Sequence, residues 1–222
     1  MRFITKAGIL VSILAIPVFV FLFLKLYGKN HYSIPVYFAT DSTLINGKYQ
    51  ITEAHTIPHF EFYNQDSLLY GSKDLVGNIY IADFFFTTCP GICPKMTTQL
   101  TRVQEAFAKF EDVKIVSFTV DPQKDSVQTL KRYSLEFRSD STKWNFLTGS
   151  KEKLYTLAQK GFFVSALEDQ SLPEFIHSDK FILVDKSGRI RGYYNGTDHS
   201  DVDRLIREVQ VLIYNYENGA VQ

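Results

Sequence analysis

Residues 78–86, NIYIADFFF, are nearly all apolar, the pattern of a strand buried on both faces. Directly after them the spacing changes. Met96, Leu100, Val103, Phe107 and Phe110 recur at steps of four and three, which predicts one apolar face of a helix over Cys89–Phe110. The alternation then repeats. VKIVSFTV (113–120) reads as a second strand. Val127, Leu130, Tyr133 and Phe137 mark the inward side of a helix over Asp125–Phe137, and WNFLTG (144–149) is a short strand. Lys151–Lys160 reads as a short helix closed by Gly161. KFILVD and RIRGYYNG flank Lys186-Ser187-Gly188 as a hairpin. A last helix, capped by Ser200 with Asp203 three positions on, carries Val202, Leu205, Ile206, Val209, Leu212 and Ile213 on one side.

Strands alternating with helices imply a parallel sheet covered on both faces, and the late hairpin adds antiparallel strands. The order βαβ followed by ββα is the plan of an α/β, thioredoxin-like fold. Ahead of it, TLI-NG-KYQI places Asn46-Gly47 between two alternating segments, a hairpin signal, so the fold carries an N-terminal hairpin extension. Further upstream, residues 7–24 are uncharged and apolar throughout. At helical rise they cover about 27 Å, close to a hydrocarbon core of about 30 Å. Arg2 and Lys6 precede them, and no small-residue cleavage site follows. The expected organisation is a short flank (1–6), a single transmembrane helix (7–27), a tether and first hairpin (28–50), the thioredoxin-like domain (51–216) and a tail (217–222). An N-terminal span followed by a large domain places that domain on the extracytoplasmic side, periplasmic or equivalent.

Charge adds an exclusion. Basic and acidic residues balance at 24 each, so there is no polyelectrolyte signature for nucleic acid. Both cysteines of the chain, Cys89 and Cys93, fall in FFFTTCPGICPKM, where the first core strand gives way to the first helix. In open α/β sheets that carboxyl edge is where sites form. A helix start supplies free N–H groups and partial positive charge, which favour thiolates. Residues four apart on a helix lie within reach of one ion, and the same spacing permits a disulfide if Cys89 sits in the turn before the helix. Pro94 suits a first helical turn, and Pro90 keeps the preceding segment non-helical. Two soft sulfurs suffice for Cu(I), whereas Cu(II) or zinc wants further donors, nitrogen included. Of His31, His55, His59, His177 and His199, only His177 stands just before a core strand on the loop expected to face the cysteines. A histidine satisfied within its own loop is the competing reading.

Four segments, TTCPGICPKM, TVDPQKDSVQTLKRY, LTGSKEKLYTLA and IHSDKFILVDKSGRIRGYYNG, resemble the Sco/SenC proteins in order and spacing, across roughly residues 55–214. The resemblance implies a thioredoxin-like fold with a membrane anchor. It implies one copper per chain, Cu(I) or Cu(II), held by Cys89, Cys93 and His177. It implies a metallochaperone that delivers copper to the dinuclear copper site of cytochrome c oxidase, or reduces that site's cysteines. Partners would then be the copper-receiving oxidase subunit, other copper chaperones and thiol reductants, with the membrane held through the N-terminal helix. The family is not a classical enzyme, although Cys89 and Cys93 as a redox pair would also support thiol-disulfide oxidoreductase activity, the alternative function. Asp121 and Asp125 form the family's D-P-x-x-D signature. From the residues alone Pro122 ends a strand and Asp125 caps the next helix, with a supporting or docking role beside the site as the other reading. Gly91 departs from the family pattern, in which many members carry an acidic residue between the cysteines.

Overall fold

The computed structural model describes residues 13–23, 33–45, 48–164 and 178–219. The chain divides into two compact units, Met1–Ser33 and Ile34–Gln222. In the first, residues 13–23 form a helix (α1) with its side chains exposed. Among the described residues no helix is long and apolar enough to cross a membrane. The remainder of the expected span, 7–12 and 24–27, lies outside the described residues.

In the second unit the opening hairpin pairs β1 (Ala39–Ile45) with β2 (Lys48–Ala54) as a separate two-stranded antiparallel sheet. Its expected turn, Asn46-Gly47, lies outside the described residues. Then follow β3 (Glu61–Asn64), β4 (Leu69–Gly71), the single turn α2 (Ser72–Leu75), β5 (Ile79–Phe85), α3 (Ile92–Ala106), β6 (Val113–Thr119), α4 (Val127–Glu136), β7 (Trp144–Thr148), α5 (Lys151–Thr156), β8 (Lys180–Val184), β9 (Ile190–Asn195) and α6 (His199–Glu217). The seven-stranded sheet has the order β4-β3-β7-β6-β5-β8-β9. Strands β5, β6 and β7 run parallel, and the others join antiparallel. This is the mixed α/β, thioredoxin-like arrangement expected, extended by the β3–β4 hairpin that the sequence reading passes over.

β5 shows why its sequence is apolar on consecutive positions. Ile79, Ile81 and Phe85 enter one core with Met96, Leu100 and Val103 of α3 and Val202, Leu205, Val209 and Leu212 of α6. Tyr80, Ala82 and Phe84 enter the opposite core with Phe118, Leu154 and Phe162. Alternating side chains thus serve two buried faces. Several boundaries move. α3 begins at Ile92, not at Cys89, because Pro90 precludes the helical start. It also ends at Ala106, leaving Phe110 beyond it and 37% exposed. The helix expected over 151–160 relaxes after Thr156 into a π-turn over Leu157–Gly161. α4 is capped by Ser126, whose side chain accepts from the Thr129 N–H, and not by Asp125. α6 is capped by Asp198, which accepts from the Ser200 N–H, and not by Ser200.

The start of this unit is fastened to the sheet. Arg191 on β9 donates Nη1 to Asp185 Oδ2 at 2.9 Å and Nε to the Pro35 carbonyl at 3.1 Å, and Nη2 reaches the Ile34 carbonyl. Asp185 also takes Arg189 Nε at 3.0 Å. The Asp185 and Arg191 side chains are buried, which is tolerable because each charge is paired and hydrogen-bonded.

Candidate metal and redox centre

β5 delivers the chain to the carboxyl edge of the sheet, and the turn after it carries Cys89. The Cys89 N–H donates to the Phe86 carbonyl at 3.2 Å, which closes the turn. Gly91 then occupies the N-cap of α3 with no side-chain hydrogen bond, so the first N–H groups of the helix are left for another acceptor. That acceptor is sulfur. The N–H groups of Gly91, Ile92 and Cys93 converge on Cys89, and the Cys93 thiol donates to it as well. Burial opposes the Cys89 thiolate, but these donors outweigh it and hold the thiol below its ordinary pKa. Cys93 is set the other way. Burial pushes its thiol up to about 12, against one favourable bond from the Phe86 N–H, and Cys89 and Asp83 add to the rise.

Both thiols are free and buried, Cys89 at 7% and Cys93 at 3% exposure. Two hydrogen-bonded sulfurs, one favoured as thiolate and the other protonated beneath it, form an asymmetric dithiol. As soft donors at adjacent positions they fit monovalent copper, which accepts a low coordination number. They equally fit thiol-disulfide exchange, with Cys89 as the attacking sulfur.

Around the pair stand residues that the reading from sequence ranked low or missed. Asp125 is fully buried. Its carboxylate accepts the Thr87 N–H at 3.1 Å, the Thr87 hydroxyl at 2.5 Å and the Thr119 hydroxyl at 2.5 Å. Asp121, 7% exposed, leaves β6 at the same edge and pairs with Lys124 at 3.3 Å. Behind Cys93, the Thr97 hydroxyl donates to the Cys93 carbonyl at 2.8 Å and lies 2.7 Å from the Tyr133 hydroxyl. Beneath lies Asp83, the one acidic residue inside 79–86; that isolation was its only signal in the sequence. Thr87 carried none.

Of the expected copper donors, the structure therefore brings Cys89 and Cys93 together. His177 lies outside the described residues; β8, which follows it, begins at Lys180 on the edge where β5 ends. Among the described residues no group of three or more histidine, cysteine or carboxylate side chains could hold a metal. The other described histidines are engaged or exposed elsewhere. His55 Nε2 lies 2.8 Å from the Gly161 carbonyl, with its ring 4.5 Å from Phe163. His59 is exposed, and His199 Nδ1 faces Asp203 at 3.3 Å.

Comparison with known proteins points in one direction. The sequence model of the SCO1/SenC family matches residues 48–213. The chain is 34% identical over 158 residues to the SCO1 protein homolog of Bacillus subtilis (strain 168), covering 70% of this chain and 82% of that one. Among solved structures it resembles BsSco, described as a member of the Sco family of cytochrome c oxidase assembly proteins in which a disulfide switch was identified. That match has a TM-score of 0.60 and 33% identity, over 70% of this chain and 92% of that one. It also resembles Arabidopsis thaliana ScoI with copper bound, at a TM-score of 0.58 and 28% identity, over 72% and 98% of the two chains.

Proposed function

Because the chain belongs to the SCO1/SenC family, we propose that it is a copper-binding metallochaperone with thiol redox capability, serving assembly of the dinuclear copper site of cytochrome c oxidase. The observation that carries this reading is the asymmetric dithiol at the start of α3. Copper is cargo here, and Cys89, Cys93 and His177 are proposed to hold one ion. Cys89 offers the more readily deprotonated sulfur, and Cys93 gives up its proton as the second sulfur is engaged. The turn after β5 keeps both sulfurs at the sheet edge, where a partner can approach Pro90 and Gly91, both exposed.

The same asymmetry favours a second use of the site. A stabilised Cys89 thiolate above a protonated Cys93 is the arrangement a thiol reductant needs, with Cys89 attacking a partner disulfide and Cys93 resolving the mixed disulfide. Residues 7–24 are proposed as an uncleaved membrane anchor, with the domain on the extracytoplasmic side. The domain boundaries are those proposed from sequence: flank 1–6, anchor 7–27, tether and hairpin 28–50, copper domain 51–216 and tail 217–222. The test is a metal count on the reduced full chain in detergent, with Cu(I) and Cu(II) supplied separately. One copper per chain is expected in each state. Binding that survives alkylation of both thiols would sink the site assignment.

A further inference from the structure

We infer that Asp125 is the positioning residue of the cysteine turn: it holds Thr87, two residues before Cys89, and so sets how closely Cys89 approaches Cys93. This rests on the reading of Cys89 and Cys93 as a working pair, and it extends that reading to a residue that touches neither sulfur.

The geometry is that of a hub. One Asp125 oxygen takes the Thr87 hydroxyl; the other takes the Thr87 N–H and the Thr119 hydroxyl. The Asp125 carbonyl accepts the Thr148 hydroxyl at 2.9 Å, and its N–H donates to the Asp121 carbonyl at 2.9 Å. One fully buried residue thereby ties together the segments that leave β5, β6 and β7 at the sheet edge carrying the site. Three donors to a buried carboxylate are charge-assisted bonds, stronger and more directional than those between neutral groups. The segment they restrain is short. Only Thr88 separates Thr87 from Cys89, and beyond Cys89 the chain passes through Pro90 and Gly91 into α3. Gly91 has open space where a side chain would stand, so no side-chain packing at that position fixes the turn. Beside the N–H groups that converge on its sulfur, Cys89 is thus restrained from upstream, through Thr87. Restraint of this kind acts on reactivity as effective concentration, because a sulfur held near its partner closes a bond at lower entropic cost.

The closing experiment is the metal-free equilibrium of the full chain with glutathione. In it one glutathione disulfide becomes two glutathione thiols as the Cys89–Cys93 bond forms and both thiol protons leave. In Asp125→Asn the amide cannot accept all three donors, and the equilibrium constant for closure should fall about tenfold, a potential about 30 mV less reducing. Thr87→Val, which removes the hydroxyl bond alone, should fall about threefold. Thr148→Val, which loses only the bond to the Asp125 carbonyl, is the structural control and should stay within twofold of the parent. If Asp125→Asn fails to fold, Thr87→Val against Thr148→Val decides. Constants for Asp125→Asn and Thr87→Val equal to the parent's would overturn the assignment, as would an equal fall in Thr148→Val. No copper enters the measurement. A parent chain that bound no copper would refute the chaperone reading and leave this result standing.

Discussion

Asp83 and Ser117 face each other across β5 and β6, and the Ser117 hydroxyl donates to the Asp83 carboxylate at 2.5 Å in the interior of the sheet. The Ser117 oxygen in turn accepts the indole N–H of Trp144 at 2.8 Å, so a chain of two hydrogen bonds runs across three strands beneath the start of α3. It is a buried polar line through a sheet face built largely from Ile79, Ile81, Phe85, Ile115 and Phe146.

A pH dependence follows from it. Burial pushes the Asp83 carboxyl up to about 7, and the Ser117 bond lowers it only in part. Its folded pKa therefore lies above its unfolded value of about 4. The unfolded chain binds fewer protons between these two values, so stability falls as pH rises through that window. Neutral Asp83 contributes fully below about pH 4, and the contribution is lost toward pH 7 and above. Asp83→Asn, which keeps an acceptor for Ser117, should gain on the parent by about 1–3 kcal/mol between pH 4 and pH 8. Urea unfolding followed by fluorescence of Trp144, the chain's single tryptophan, reads this directly. Parallel stability profiles for the two proteins would refute it.

The two cysteines should react in a fixed order. With Cys89 held below the usual thiol range and Cys93 raised to about 12, iodoacetamide at neutral pH should label Cys89 first. Peptide mass spectrometry over a time course distinguishes them. Equal labelling, or Cys93 first, contradicts the assigned asymmetry.

His177 is expected to matter for one oxidation state more than the other. Two thiolates satisfy Cu(I), whereas Cu(II) prefers a nitrogen donor and a fuller shell. His177→Ala should weaken Cu(II) at least tenfold more than Cu(I), measured by chelator competition beside the sulfur-to-Cu(II) charge-transfer band. An unchanged band would overturn the assignment of His177 as the nitrogen donor.

Arg191→Met tests the fastening of the N-terminal segment. The substitution leaves Asp185 buried with only Arg189 beside it, and frees the Ile34 and Pro35 carbonyls. Loss of one partner from a buried ion pair costs about 3 kcal/mol. A shift in urea midpoint worth less than about 1 kcal/mol would show that Arg189 suffices.

The proposed anchor should be dispensable for binding and necessary for delivery. A secreted chain lacking residues 1–29 should take up copper as the full chain does, yet restore oxidase activity poorly at native expression. Complete restoration would reduce the span to an address.

Much of this fold was legible because its strands are long and buried on two sides. β5 to β9 and the helices between them announce themselves through unbroken apolar runs or a 3.6-residue period. The β3–β4 hairpin was not, since EFYN and LYG are too short to establish alternation. The cysteine pair was legible from its position between a strand and a helix. Asp125 was misread as a helix cap, because an aspartate one residue before Ser126 looks like a cap from local sequence alone. Its partners Thr87 and Thr119 are 38 and 6 residues away, and only the folded sheet brings them to it.

The edges of the seven-stranded sheet bear on how this chain behaves among copies of itself. The three-residue β4 forms one border, with Leu69 exposed. At the other border, the Ile190 carbonyl of β9 already receives the Tyr37 N–H at 2.9 Å, and Thr56 pairs with Arg189 in an antiparallel bridge. The segment fastened by Arg191 thus covers the border strand that another molecule would otherwise extend. A second copy would find little open backbone at the start of β9 to pair with. At this border the chain is guarded against edge-to-edge pairing, while the surface around Pro90 and Gly91 stays exposed.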